Sequence, residues 1–188
     1  MTSNRQNQII LVTGASRSGK SEFAEMLAQK SHTSIIYVAT AKVDPTDQEW
    51  QARILQHQQR RPTSWQTVTI SDPKLSSYIL QASASECLLI DSLGTWIANF
   101  LALDREEWEK ISHNLLNGLK TSKAQIILVG EETGWGVVPA YPVGRLFRDR
   151  LGHLSRQIAS LADTTYLVAG GHVLDLGLLG KPLSNYEI

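Results

Sequence analysis

With a single cysteine, Cys87, in its 188 residues, the chain can close no intrachain disulfide, and a reducing cytoplasm suits that economy. It also lacks an excess of charge of either sign. Eighteen Lys and Arg balance eighteen Asp and Glu, which argues against nucleic acid or a charged membrane surface as the main partner. A local basic patch can still take a small anion. No apolar run approaches the ~20 residues of a membrane span. Ile9 to Val12 is too short for a secretory apolar segment. Repeats, linkers and low-complexity stretches are missing too. The expectation is one soluble, cytoplasmic domain over residues 1–180 with a tail at 181–188.

What is present is a set of short apolar runs: Ile9–Thr13, Ile35–Ala39, Cys87–Ile90, Ile126–Val129 and Tyr166–Ala169. They are continuous rather than alternating, as strands covered on both faces of a parallel sheet read. Thr67–Ile70 and Val173–Leu176 are candidate extra strands. Helix-like segments lie between them. Ala24, Leu27 and Ala28 share a face, Leu93–Leu103 and Glu106–Leu119 read as two helices with Asp104 as a cap, and Val143–Leu161 reads as a long one. The alternation predicts an α/β fold with a mainly parallel sheet.

The segment Gly14-x-x-x-x-Gly19-Lys20-Ser21 matches the phosphate-binding loop in full. Such a loop points backbone N–H groups at phosphate oxygens, and small residues let the backbone come close. Gly14, Ala15, Ser16, Arg17, Ser18 and Gly19 would form the cradle. Lys20 would reach the β and γ phosphates, and Ser21 would hold Mg²⁺. A chance Gly/Ser turn is the alternative, and the apolar strand before it and amphipathic segment after it speak against chance. Asp91 ends an apolar strand where a metal-side carboxylate is expected. A helix cap by Asp91 or Ser92 is the competing role.

A second stretch runs from Trp50 to Pro62. As a helix it sets Trp50, Arg53, Ile54, His57 and Arg61 on one side, with Arg60 one step round and Pro62 as its end. Paired arginine donors suit phosphates, nearby positive charge favours a neutral imidazole, and such an imidazole can attack phosphorus. A solvated basic face carrying a surface histidine explains the same spacing.

Taken together, these motifs resemble the bifunctional adenosylcobinamide kinase / adenosylcobinamide-phosphate guanylyltransferase family of cobalamin biosynthesis. The likeness covers Leu11–Ser21, Tyr37-Val-Ala-Thr40, Ala52-Arg-Ile-x-x-His57 and Arg61-Pro62-x-x-Trp65-x-Thr67. It continues through Leu89-Ile-Asp91, Gly134-x-Gly136-x-Val-Pro139, Gly144-Arg-Leu-Phe-Arg-Asp149 and Ala162-Asp163. The resemblance implies a recombinase-core-like phosphate-loop domain and a homotrimer, with Mg²⁺ and with GTP and ATP as co-substrates. It implies phosphorylation of adenosylcobinamide, then GMP transfer through His57 to adenosylcobinamide phosphate. It sets Lys20 in the phosphate loop, Thr40, Ala41 and Lys42 beside the nucleotide, Arg60, Arg61 and Pro62 after the histidine, and Asp91 at an acidic nucleotide position. The chain departs from the pattern at Thr69, Glu131, Ser155, Arg156 and Asp175. Trp65 reads as packing, whereas Trp135, between two glycines, is open between packing and a corrin platform. Arg145 and Arg148 are expected to form salt links to Asp149. A kinase of single activity and a nucleotide-binding regulatory module without turnover are the alternatives.

Overall fold

The computed structural model describes residues 8–42 and 46–185. Its strands are β1 (Ile9–Gly14), β2 (Ser34–Ala39), β3 (Gln66–Thr69), β4 (Glu86–Asp91), β5 (Gln125–Glu131), β6 (Thr164–Ala169) and β7 (His172–Asp175). Its helices are α1 (Lys20–Gln29), α2 (Gln48–Arg60), α3 (Leu75–Gln81), α4 (Leu93–Ala98), α5 (Arg105–Thr121), α6 (Pro142–Ala159) and α7 (Leu176–Leu179). The strands form one sheet in the order β3-β2-β4-β5-β1-β6-β7. All pairings are parallel except the antiparallel β6–β7.

The continuous apolar runs follow from burial on both faces. Ile9 and Leu11 of β1, Leu88 and Ile90 of β4, and Ile126 and Leu128 of β5 face a layer that includes Leu75, Trp96, Leu115 and Leu154. Ile10, Val12, Leu89, Ile127 and Val129 face the other way, onto Ala24 and Ala28 of α1. Cys87 is buried on this second face, and burial pushes its thiol up to about 11. Parallel strands whose helices lie on both faces present their C-terminal ends together, and that edge is where such folds bind ligands.

Three expectations need correcting. The helix expected over Leu93–Leu103 ends at Ala98. Beyond it the chain passes into turns, and Arg150 of α6 donates to the carbonyls of Phe100 (2.7 Å) and Leu103 (2.7 Å). The last strand is His172–Asp175, since the Asp175 carboxylate accepts from the Gly177 and Leu178 N–H groups and starts α7. The short helix α3 was not foreseen. In the expected tail, Leu183–Asn185 form one 3-10 turn, and residues 186–188 lie outside those described.

Arg150 is 7% exposed, and its guanidinium also lies 5.1 Å from the Trp108 ring centroid. Arg150→Met should orphan the Leu103 carbonyl, strip the Phe100 carbonyl of its charged donor and cost about 2–4 kcal/mol, a fall in Tm of roughly 5–15 °C. Thermal unfolding followed by circular dichroism measures it. A shift below about 2 °C would mean that water satisfies those carbonyls instead.

Candidate nucleotide and phosphoryl-transfer site

The strand register lines up the site. Ala39 of β2 pairs with Thr69 of β3 on one side and Asp91 of β4 on the other, while Gly14 of β1 pairs with Glu131 of β5. A cavity of about 440 Å³ opens over this row. Of the residues expected to bind nucleotide, Ser16, Lys20, Ser21, Ala41, Arg61 and Asp91 line it.

The glycine loop joins β1 to α1. A Cβ at Gly14 would collide with the Val168 carbonyl and come within 2.6 Å of the Ser18 hydroxyl. Arg17 (φ 59°) and Gly19 (φ 93°) are left-handed, a conformation that glycine adopts without steric cost. The Ser18 N–H donates to the Ala15 carbonyl (3.2 Å), closing the turn. Lys20 is buried, and its ammonium folds back to the same Ala15 carbonyl at 3.2 Å. The loop therefore precedes the start of α1, whose dipole favours an anion.

Thr40 sits behind the cavity rather than in its lining. Its fully buried hydroxyl accepts from the Ser92 N–H (2.9 Å), lies 2.7 Å from the Ser92 carbonyl and shares a 2.6 Å hydrogen bond with Thr95. Thr40 thus fixes the turn that follows Asp91. Ser92 caps α4 through the Thr95 N–H, so the cap falls to Ser92, and Asp91 faces the cavity.

Tyr37 donates to the Asp91 carboxylate at 2.9 Å. Burial and then the Asp91 charge push the phenol up, so it stays a donor. The Arg61 guanidinium lies 3.7 Å from the Tyr37 ring centroid and donates to the Thr67 hydroxyl at 3.2 Å. Arg60 takes a different place, pairing with Glu22 (2.6 Å) and Glu25 (3.5 Å) of α1. Lys42 is exposed, and Pro62 follows α2 outside the lining. His57 lies on α2, three residues after Ile54 and four before Arg61, both of which line the cavity. The side chains of Arg53 and His57 lie outside the described residues.

Glu131 is the residue whose place sequence reasoning missed. Noted only as a departure, it lines the cavity together with Asp91, from the strand next to it. It accepts from the Ser92 hydroxyl and from the Gly94 N–H (2.8 Å), and a Cβ at Gly94 would collide with it. Burial pushes its carboxyl up, with repulsion from Asp91 adding, against the Ser92 hydrogen bond and Lys20. Its neighbour Glu132 accepts from the Thr13 hydroxyl at 2.6 Å, tying β5 to β1 beside the loop. Of the other departures, Thr69 lines the cavity, Arg156 is exposed and Asp175 caps α7. Among the described residues the Ser155 hydroxyl is buried without a hydrogen-bond partner. Arg148 approaches Asp149 at 3.7 Å as expected, but Arg145 instead donates to the Pro139 and Ala140 carbonyls.

Among the described residues no group of three His, Cys, Asp or Glu could hold a metal alone. Ser21 and Asp91 are hard oxygen donors on one cavity, a set that fits Mg²⁺ when phosphate oxygens and water complete its shell.

The Glu131 proton gives a measurable linkage. Its folded value lies above the ordinary 4.5, so its stabilising contribution is complete below 4.5 and is lost as pH rises through the folded value. Glu131→Gln removes the charge while its amide oxygen can still accept from the Gly94 N–H and its NH2 can donate to the Ser92 hydroxyl. The variant should gain stability over wild type progressively as pH rises above 4.5, read by urea unfolding. A difference that does not change with pH would contradict this.

A profile of the family described as cobinamide kinase / cobinamide phosphate guanyltransferase (CobU) matches residues 10–176. The bifunctional adenosylcobalamin biosynthesis protein CobP of Pseudomonas aeruginosa is 38% identical, over 92% of this chain and 98% of that one. The bifunctional adenosylcobalamin biosynthesis protein CobU of Escherichia coli K12 is 32% identical, over 87% and 96%. In fold, the chain is similar to a protein of Pyrococcus horikoshii OT3, with a TM-score of 0.55 and 6% identity over 91% of this chain and 86% of that one. It is also similar to an ATPase of a bacterial type III secretion system, with a TM-score of 0.53 and 15% identity over 85% of this chain and 50% of that one.

Proposed function

The chain belongs to the cobinamide kinase / cobinamide phosphate guanyltransferase family, and from that premise we propose that it carries out both reactions at the cavity described above. In the first, the aminopropanol hydroxyl of adenosylcobinamide takes the γ-phosphoryl group of ATP or GTP. In the second, a His57 nitrogen attacks the α-phosphorus of GTP, forming a P–N bond as the bond to pyrophosphate breaks. A phosphate oxygen of adenosylcobinamide phosphate then attacks the same phosphorus. The P–N bond breaks, and adenosylcobinamide-GDP leaves a free imidazole.

One observation carries this reading: the phosphate loop and the helix bearing His57 border a single cavity, with Lys20 and Ser21 on one side and Ile54, Gln58 and Arg61 on the other. Lys20 neutralises charge at the β and γ phosphates, the loop N–H groups orient the chain of phosphates, and Arg61 offsets charge that builds at the attacked phosphorus. Arg53 and the segment Thr40–Lys42 belong to the same nucleotide site in this reading. Mg²⁺ held by Ser21 and Asp91 would supply charge neutralisation between the phosphates.

No described helix is long and apolar enough to cross a membrane. We take the working form to be a cytoplasmic homotrimer. The exposed Leu178 and Leu179 beside β7, which ends the sheet order, favour self-association there.

Incubation with α-labelled GTP and Mg²⁺ should label the protein through a bond that is labile in acid and persists in alkali. His57→Ala should lose the label and the transferase step while keeping most of the kinase step. Label on the Ala variant, or none on wild type, would leave a kinase of single activity. Lys20→Ala should remove both activities, because one cradle serves both. Turnover near normal in either step would assign that step to another site. Asp91→Asn should weaken GTP binding with Mg²⁺ far more than without it in calorimetric titrations, and equal losses would remove Asp91 from the metal.

A further inference from the structure

Between Thr133 and Gly144 the chain carries no charged residue, and it displays an unusual row of exposed apolar side chains. Trp135 is 72% exposed, Val137 94% and Tyr141 77%, with Val138 and Val143 also exposed. Isolated exposed apolar residues are ordinary, but a run of this kind marks a surface with an occupant. The segment leaves the end of β5 and enters α6. It begins at the cavity, since Thr133 is in the cavity lining, and the helix it enters returns there at Phe147. The Glu132 N–H bonds to the Gly14 carbonyl (3.0 Å), which anchors the run beside the phosphate loop. Arg145 holds its far half, donating to the carbonyls of Pro139 (2.9 Å) and Ala140 (2.7 Å). The apolar row is therefore presented by a braced backbone.

Resting on the function proposed above, we propose that the 133–144 segment is the platform for the macrocycle of the corrinoid substrate. The volume decides where the substrate must lie. About 440 Å³ suits a ligand of nucleotide size, so a corrin ring system cannot enter beside one. Only the flexible arm that ends in the alcohol can reach the phosphate loop, and the ring must rest outside on the rim. The rim surface matches it in kind. A corrin edge is rich in methyl groups and its peripheral side chains are uncharged amides, so it needs apolar contact and backbone hydrogen bonding rather than ion pairs. Trp135 offers a flat face to stack against it. A platform of this kind serves both steps, because the alcohol of the first reaction and the phosphate of the second sit on the same arm.

The test uses the full chain with Trp135→Ser and Val137→Ser combined, two positions too exposed to disturb folding. Three readouts are taken: KM for cobinamide in the kinase step, labelling of the protein by α-labelled GTP, and the sedimentation coefficient. The expected result is a KM for cobinamide raised about tenfold or more, with kcat at saturation, GTP labelling and sedimentation unchanged. Titrating wild type with cobinamide should also quench tryptophan fluorescence, and Trp135→Phe should lose most of that quenching while keeping a near-normal KM. An unchanged KM in the double variant overturns the proposal. So does a change in sedimentation with an unchanged KM, which would assign the surface to a second copy of the chain. Failure of the functional reading is a separate outcome, in which wild type itself turns over no cobinamide.

Discussion

A single threonine hydroxyl, wholly removed from solvent, holds the chemistry of this site together. Thr40 Oγ1 engages both the N–H and the carbonyl of Ser92 and shares a bond with Thr95. It thereby ties the end of β2 to the turn after β4. From that turn Asp91 reaches the cavity, Ser92 caps α4, and the Gly94 N–H meets Glu131. Buried hydroxyls that lose a partner are costly, and networks of them couple their members. The floor of the cavity therefore behaves as one unit, and a disturbance at Thr40 reaches two carboxylates that it does not touch.

Four of the described arginines show how one side-chain type is used in different ways. Arg61 stacks on an aromatic ring and bonds a threonine, Arg60 pairs with two glutamates of α1, Arg145 braces a loop through its carbonyls, and Arg150 bonds carbonyls of the turns after α4. A flat guanidinium with five donors serves each of these geometries, and a lysine would serve none of them equally. The Glu22 and Glu25 pairs draw Arg60 onto α1, which joins α2 to the helix that begins at the phosphate loop.

The parts of the site that follow one another in sequence were legible from it. The strand, glycine loop and helix from Ile9 to Gln29 are contiguous, and each local preference agrees with the next. The continuous apolar runs correctly indicated a sheet covered on both sides. What pairing assembles was hidden. Glu131 reaches the cavity because β5 lies next to β1, and Tyr37 meets Asp91 because β2 lies next to β4. No spacing within the chain encodes either. The helix α3 escaped notice because it is short, with only Leu75 and Ile79 buried. The helix over Leu93–Leu103 read too long because its apolar spacing continues past Ala98, where the chain passes into turns whose carbonyls meet the guanidinium of a residue about fifty positions away.

A side chain at Gly94 would run into the carboxylate end of Glu131, which couples the two positions. With the carboxylate in its present place, a side chain at 94 would have to displace it from the Ser92 hydroxyl and the Gly94 N–H. A shorter residue at 131 would leave room for a methyl or hydroxyl group at 94. The two substitutions should therefore be far less harmful together than either alone at the larger size, a coupling between sites 37 residues apart in the chain. Relatives of this chain that carry a side chain at 94 are expected to carry a smaller group at 131. A larger group at 94 is thus tolerated best where the wall gives way at 131.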